Sequence, residues 1–213
     1  MRRSDCEDPV AILKEYQQQL MRGRALDILN EDVLIEGKTS EIFISRSTLF
    51  LDAMDELIKR AIDFSLPLEV TFNGEMAEDY GGPRKEFLGM AIRETKDRLF
   101  ENDGTGQYII KDNLSHLRRN HYLGGGLIFG FCLLQGGPLP CFIQEDQLKI
   151  LVEDTPSRPL RESETQFQIG LSKFGLTELF RRKPTFINFL KRTEQKITYP
   201  KLAKLLQPIF SEQ

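Results

Sequence analysis

The segment Tyr122 to Leu134, YLGGGLIFGFCLL, carries no charge and no polar stripe at helical spacing. A helix that is apolar all round lies inside a domain, so the rest of this chain has to be arranged around it. The segment is too short for a bilayer span, which takes ~20 residues. Its glycines, Gly124 to Gly130 in GGGLIFG, start inside a helical pattern and follow no strand, unlike a nucleotide-binding loop. In a buried helix, glycines let a neighbouring element approach closely. Asn113 to Gln135 reads as one or two helices, ended by QGGPLP.

The surrounding pattern is mostly helical. Asp8-Pro9 is an N-cap and first-turn proline, opening a helix with Val10, Leu13, Tyr16 and Leu20 on one face and an end near Gly23. Arg24 to Ser40 reads as a connecting loop. From Ser45, the residues Leu49, Phe50, Ala53, Met54, Leu57, Ile58, Ala61 and Ile62 recur at three- and four-residue spacing, an amphipathic helix. PLEVTFN (Pro67 to Asn73) alternates as a half-buried strand does. Phe87, Leu88, Ala91, Ile92, Thr95 and Leu99 predict another helix, with Arg93–Asp97 and Glu94–Arg98 spaced for surface pairs. ENDGTGQ reads as a loop and Tyr108 to Ile110 as a short strand. Short helices are expected near Glu145–Val152, Glu164–Leu171, Leu176–Arg182, Thr185–Arg192 and Lys201–Phe210. EDTPSRPLRESE (Glu153 to Glu164) is the most linker-like stretch. The fold class is α+β, predominantly α-helical, with a few short strands.

The candidate chemistry is thin. A formal net charge of -3 demands neither nucleic acid nor a membrane as partner. No apolar core follows the two N-terminal arginines, so MRRSDCEDP is not a secretory signal. Cys6, Cys132 and Cys141 have no metal spacing, which points to a reducing compartment, cytoplasmic or nuclear. EDYGGPRKEF (Glu78 to Phe87) has the look of a phosphate cradle between strand and helix. However, Pro83 removes one of the amides a phosphate would use, and GxxxxGK[ST] spacing is absent. The glycines there are expected to supply unusual backbone angles, with Pro83 at the first helical position and Glu86 in the first turn. His116 and His121 lack a cysteine or carboxylate to complete a metal set. Cys132 reads as an apolar filler, and Cys141 is the one thiol to test for reactivity. Arg181 to Lys204 holds eight basic residues and one acid, interleaved with Phe186, Phe189 and Tyr199. Solvated helix faces, an acidic protein partner or a nucleic acid all fit that patch.

Three blocks together carry a resemblance. ISRSTLFLDAMDEL (Ile44 to Leu57), LEVTFNGEMAEDYGGPRKEFLGMAIRE (Leu68 to Glu94) and HYLGGGLIFGFCLLQGGPLPCFI (His121 to Ile143) resemble successive landmarks of a HECT ubiquitin-ligase domain. QGGPLPCF is particularly similar to a divergent, shortened subgroup related to the cell-cycle-phase-specific ligases. The resemblance covers Ile44 to Ile143 well and Glu145 to Gln213 more loosely.

The resemblance implies a helical N-terminal lobe that docks a ubiquitin-conjugating enzyme, while a cysteine of a C-terminal lobe accepts ubiquitin and passes it to a substrate lysine. All three blocks belong to the N-terminal lobe. ITYPKLAKLLQPIFSEQ resembles the segment before the hinge, with no Thr-Cys segment after it, and Cys6, Cys132 and Cys141 do not match the nucleophile's place. The expectation is therefore an N-lobe that scaffolds and docks without transferring ubiquitin. It would comprise an N-terminal helix and loop (1–43), a lobe core (44–154) and a smaller helical remainder (155–213). Gly137 to Gln213 is shorter than the family's usual remainder, which holds the enzyme-docking subdomain. Gly125-Gly126 also stands where the family has Gly-Arg. No catalytic, cofactor-binding, metal or docking residue is assigned, and no cofactor is expected. Protein partners are the conjugating enzyme and substrates. The alternative is a non-catalytic interaction domain using its basic C-terminal helices.

Overall fold

The computed structural model describes residues 8–26, 36–59, 62–75, 81–153 and 155–191. Helices predominate among them and the strands are short, an α+β arrangement. Helix α1 (Pro9–Leu20) starts where expected, the Asp8 carboxylate accepting from the Val10 N–H at 3.1 Å. Its inward row is Ile12, Tyr16 and Leu20 with Leu13 beside it. Val10 is 42% exposed, so the buried stripe lies further round the helix than the expected face.

Strand β1 (Ser40–Ile44) lies partly in the predicted loop and was not expected as a strand. It pairs in parallel with β2 (Leu68–Phe72), from Ser40 opposite Leu68 to Ile44 opposite Phe72. Ile42, Ile44, Leu68, Val70 and Phe72 face the core. A 3-10 turn (Arg46–Thr48) and α2 (Leu49–Lys59) form the crossover that parallel pairing requires. Ile62 falls beyond α2, and Ala61 lies outside the described residues. Helix α3 (Gly82–Leu99) follows β2, and the hairpin β3 (Phe100–Asn102) and β4 (Tyr108–Ile110) closes the loop read from ENDGTGQ.

Asn113 to Gln135 resolves into two helices, α4 (Leu114–Arg118) and α5 (His121–Leu134). Every α5 residue except Leu123 is buried. The glycines set how close its neighbours come. Met54 of α2 sits where a Cβ on Gly124 would be, and the Phe174 ring does the same at Gly130. The closest approach is to α7 (Glu162–Ser172): a Cβ on Gly126 would run into the Phe167 carbonyl oxygen, and one on Gly170 into that of Leu123. Two backbones meeting this way exclude any side chain at either position.

Helices α6 (Glu145–Val152) and α8 (Leu176–Arg182) match their expected spans, whereas Thr185–Arg192 is instead a 3-10 helix at Pro184–Leu190. Lys201–Phe210 lies outside the described residues. The charged stretch before α7 is tied down by one acid. Glu164, 0% exposed, accepts from Arg158 at 2.6 and 2.7 Å, from Arg161 through side chain and backbone, and from Gln147 at 3.0 Å. Arg161 also donates to the Ile110 carbonyl at 2.7 Å, joining this stretch to β4. Burial pushes the Glu164 carboxyl up, but these hydrogen bonds outweigh it and hold the group below the usual carboxylate range. Phe167, Leu171, Phe174, Leu176, Phe180 and Phe186 join the same core as β1, β2 and α3.

Gly126→Ala is expected to destabilise the fold by about 1–3 kcal/mol, because backbone rather than a movable side chain fills the space. Gly82→Ala, at a helical position facing open space, should be neutral or slightly stabilising. Urea unfolding of the two variants checks the contrast.

Candidate functional site

The joint between β2 and α3 is the feature that the sequence singles out. Gly81 caps α3 with φ 109°, a backbone angle suited to glycine. Gly82 has an ordinary helical backbone, so the expected special angle belongs to Gly81 alone, and Pro83 sits at the second helical position instead of the first. Glu78, Asp79 and Tyr80 lie outside the described residues.

Two arginines fasten this joint. Arg84 is 1% exposed and donates to the carbonyl oxygens of Gln135, at 3.3 Å, and Leu26. Gln135, fully buried, accepts from the Leu68 N–H at 2.8 Å and donates to the Leu66 carbonyl at 3.0 Å. The start of β2, at the Gln135 side-chain amide, and the start of α3, at its backbone carbonyl, therefore meet at this one buried residue after α5. On the outside, Arg46 donates to Glu75 at 2.5 and 3.1 Å and to Glu86 at 2.8 and 3.1 Å, with its guanidinium 4.1 Å over the Phe72 ring. Hydrogen bonds from Arg46 hold both carboxyls below their usual range. Arg84 Nε and Nη2 are held by backbone carbonyls and Arg46 by two carboxylates, so these side chains fasten the joint. Sequence reasoning missed Gln135, whose one signal is its place immediately before Gly136-Gly137.

The described thiols are not poised for chemistry. Cys132 is buried with its Sγ 3.7 Å from the Leu88 carbonyl oxygen, and burial pushes its thiol far up. Cys141 is half-buried, 3.8 Å from the Phe189 carbonyl oxygen, and burial raises it as well. Cys6 lies outside the described residues. Position 126, where the resembled family carries arginine, faces the backbone of α7 and has no room for one.

The basic stretch is partly neutralised from within. Arg182 pairs with Glu178 at 2.7 Å, Lys191 pairs with Glu145 at 3.0 Å, and Arg181 donates to the Val152 carbonyl. Phe186 and Leu190 are core residues, and the part from Arg192 onward, with Tyr199, lies outside the described residues. Among the described residues no group of three His, Cys, Asp or Glu could hold a metal, and no helix is long and apolar enough to cross a membrane.

Comparison with known proteins agrees in kind with the resemblance. The chain is 25% identical over 143 residues to the G2/M phase-specific E3 ubiquitin-protein ligases of Macaca fascicularis and Homo sapiens, covering 64% of its own length. It spans 20% of the length of those relatives. A probable E3 ubiquitin-protein ligase, HERC4 of Homo sapiens, is 44% identical over 57 residues, which is 26% of this chain and 5% of that protein. No protein-family model matches the chain. All of these relatives are named E3 ubiquitin-protein ligases, HERC4 as a probable one.

His116 and His121 come together as no spacing argument foresaw. Their Nδ1 atoms are 2.8 Å apart, and the Phe50 ring meets both imidazoles edge-on. One nitrogen must donate and the other accept, so the pair resists a second proton. Burial is the first cause of lowering at both imidazoles. The charges of Lys111, Arg98 and Arg119 add to it at His116, and those of His116, Arg119 and Arg98 add to it at His121, which falls to about 4 against the opposing Asp55. Protons that the unfolded chain accepts below about pH 6.5 are thus refused by the folded one. Stability should be full above that pH and decline as the pH falls toward the folded values. Urea unfolding at about pH 7.5 and about pH 5 tests this, with a lower midpoint expected at the acid pH and a much smaller difference in His121→Asn.

Proposed function

We propose that this chain acts as the N-terminal lobe of a HECT-type ubiquitin ligase, a scaffold and docking unit for ubiquitin transfer. The observation that carries the reading is the match over 64% of the chain to proteins named E3 ubiquitin-protein ligases. The blocks that resemble HECT landmarks supply much of one physical unit: the β1–α2–β2 crossover, the Gly81 joint and the buried α5. On this reading residues 44–154 are the lobe core and 155–213 the remainder packed beside it. Acyl transfer needs an accessible thiolate. Cys132 and Cys141 are both pushed the other way by burial, so neither is a ubiquitin acceptor. The partners are a ubiquitin-conjugating enzyme and protein substrates.

The test is to incubate the chain with ubiquitin-charged conjugating enzymes and to capture those enzymes on immobilised chain. Retention of at least one enzyme, without a thiol-sensitive ubiquitin adduct on the chain, is expected. An adduct lost in Cys141→Ser contradicts the non-catalytic assignment, and failure of a broad enzyme panel to bind contradicts the docking assignment.

A further inference from the structure

We infer that the cleft between α2 and the turn joining α4 to α5 docks an acidic peptide segment carrying bulky apolar side chains. The cleft has a volume of ≈ 560 Å³. Its floor is aliphatic: Leu51, 48% exposed, lies beside half-buried Ile58 and the buried Met54. Exposed alone, a leucine is ordinary on a surface; here it adjoins Ile58 and Met54 along one concave wall, which gives a partner's side chain continuous apolar area.

The rim fixes the sign of that partner. Among the described residues Lys59, Arg118 and Arg119 line it, against the single acid Asp55. Arg118 and Arg119 are exposed and make no ion pair among the described residues. By contrast Arg46, Arg158, Arg161 and Arg182 each hold a carboxylate. Lys59 pairs with Asp55 at 2.7 Å, but both side chains are well exposed, and such pairs are worth only ~0–1 kcal/mol. A peptide carboxylate can therefore displace Asp55 from it. The N-terminus of α5 adds positive potential at the same place, since its N-cap Asn120 makes no side-chain capping bond. Asn120 adopts φ 57°, the one positive φ at a non-glycine among the described residues, at the turn where Arg118, Arg119 and His121 line the same cleft. Clustered arginines beside an apolar floor are a general means of binding acidic motifs. A single strand of nucleic acid would instead want rings to stack on and a longer basic track. No Phe, Tyr or Trp lines this cleft.

The probe is a fluorescein-labelled peptide, Glu-Asp-Glu-Leu-Phe-Asp-Glu, titrated with the full chain and followed by anisotropy. Saturable binding is expected, weakening as salt is raised. The variant Arg118→Glu/Arg119→Glu should weaken it by about tenfold or more, with the thermal midpoint checked because both side chains lie on the surface. Replacing Leu-Phe in the peptide by Ser-Ser should weaken it similarly. Absence of saturable binding overturns the inference. So does equal binding by the doubly substituted chain or by the Ser-Ser peptide. Tighter, arginine-dependent binding of a single-stranded oligonucleotide would also overturn it, by making the cleft a nucleic-acid contact.

Discussion

Backbone-to-backbone contact between α5 and α7 is the constraint on which the rest of the molecule depends. A helix with thirteen of its fourteen residues buried has to be covered on every side. Covering it with large side chains alone would hold neighbouring helices at the usual 8–10 Å spacing. Gly126 and Gly170 remove the side chains at one crossing, so the backbone of α7 lies directly on α5. Aromatic rings then fill the remaining space edge-on: Phe167 against Phe129 and Phe100, and Phe174 against Phe131 and Phe64. Such arrangements suit the ring quadrupoles and pack without polar atoms.

Polar groups then fix the ends of what this contact positions. Gln135 gathers β2 by its side-chain amide and α3 by its backbone carbonyl, and Glu164 gathers Arg158, Arg161 and Gln147 at one carboxylate. Buried groups this fully bonded cost much when one partner is removed, since the other is left unsatisfied. They also consume the residues that first suggested chemistry. Arg84 and Glu86 fasten structural elements, Cys132 is sealed by burial and Cys141 is half-buried.

Much of this was legible because it depends on local pattern. The apolar run announced a buried helix, PLEVTFN a strand, and Glu145–Val152 and Leu176–Arg182 their helices. Strand β1 was missed because five residues of alternation are a weak signal until a distant partner, β2, supplies its hydrogen bonds. Strand β3, only three residues long, disappeared into a loop reading for the same reason. The charge-rich stretch before α7 looked like a linker because ion pairing to Glu164 cannot be read from spacing alone. Which of Gly81 and Gly82 carries the unusual angle, and which Gly of α5 meets which neighbour, are likewise tertiary facts. The His116–His121 pair and the cleft beside it arise from the turn at Asn120, which sequence periodicity does not register.

Native-state hydrogen exchange tests the primacy of the α5–α7 contact most directly. Amides from Gly124 to Leu134 should exchange only through global unfolding, with the slowest rates in the chain and the full denaturant dependence of unfolding. Amides of α1 should exchange earlier, through local opening. Exchange of the α5 amides at a lower free energy than those of α1 would contradict the central place given to this contact.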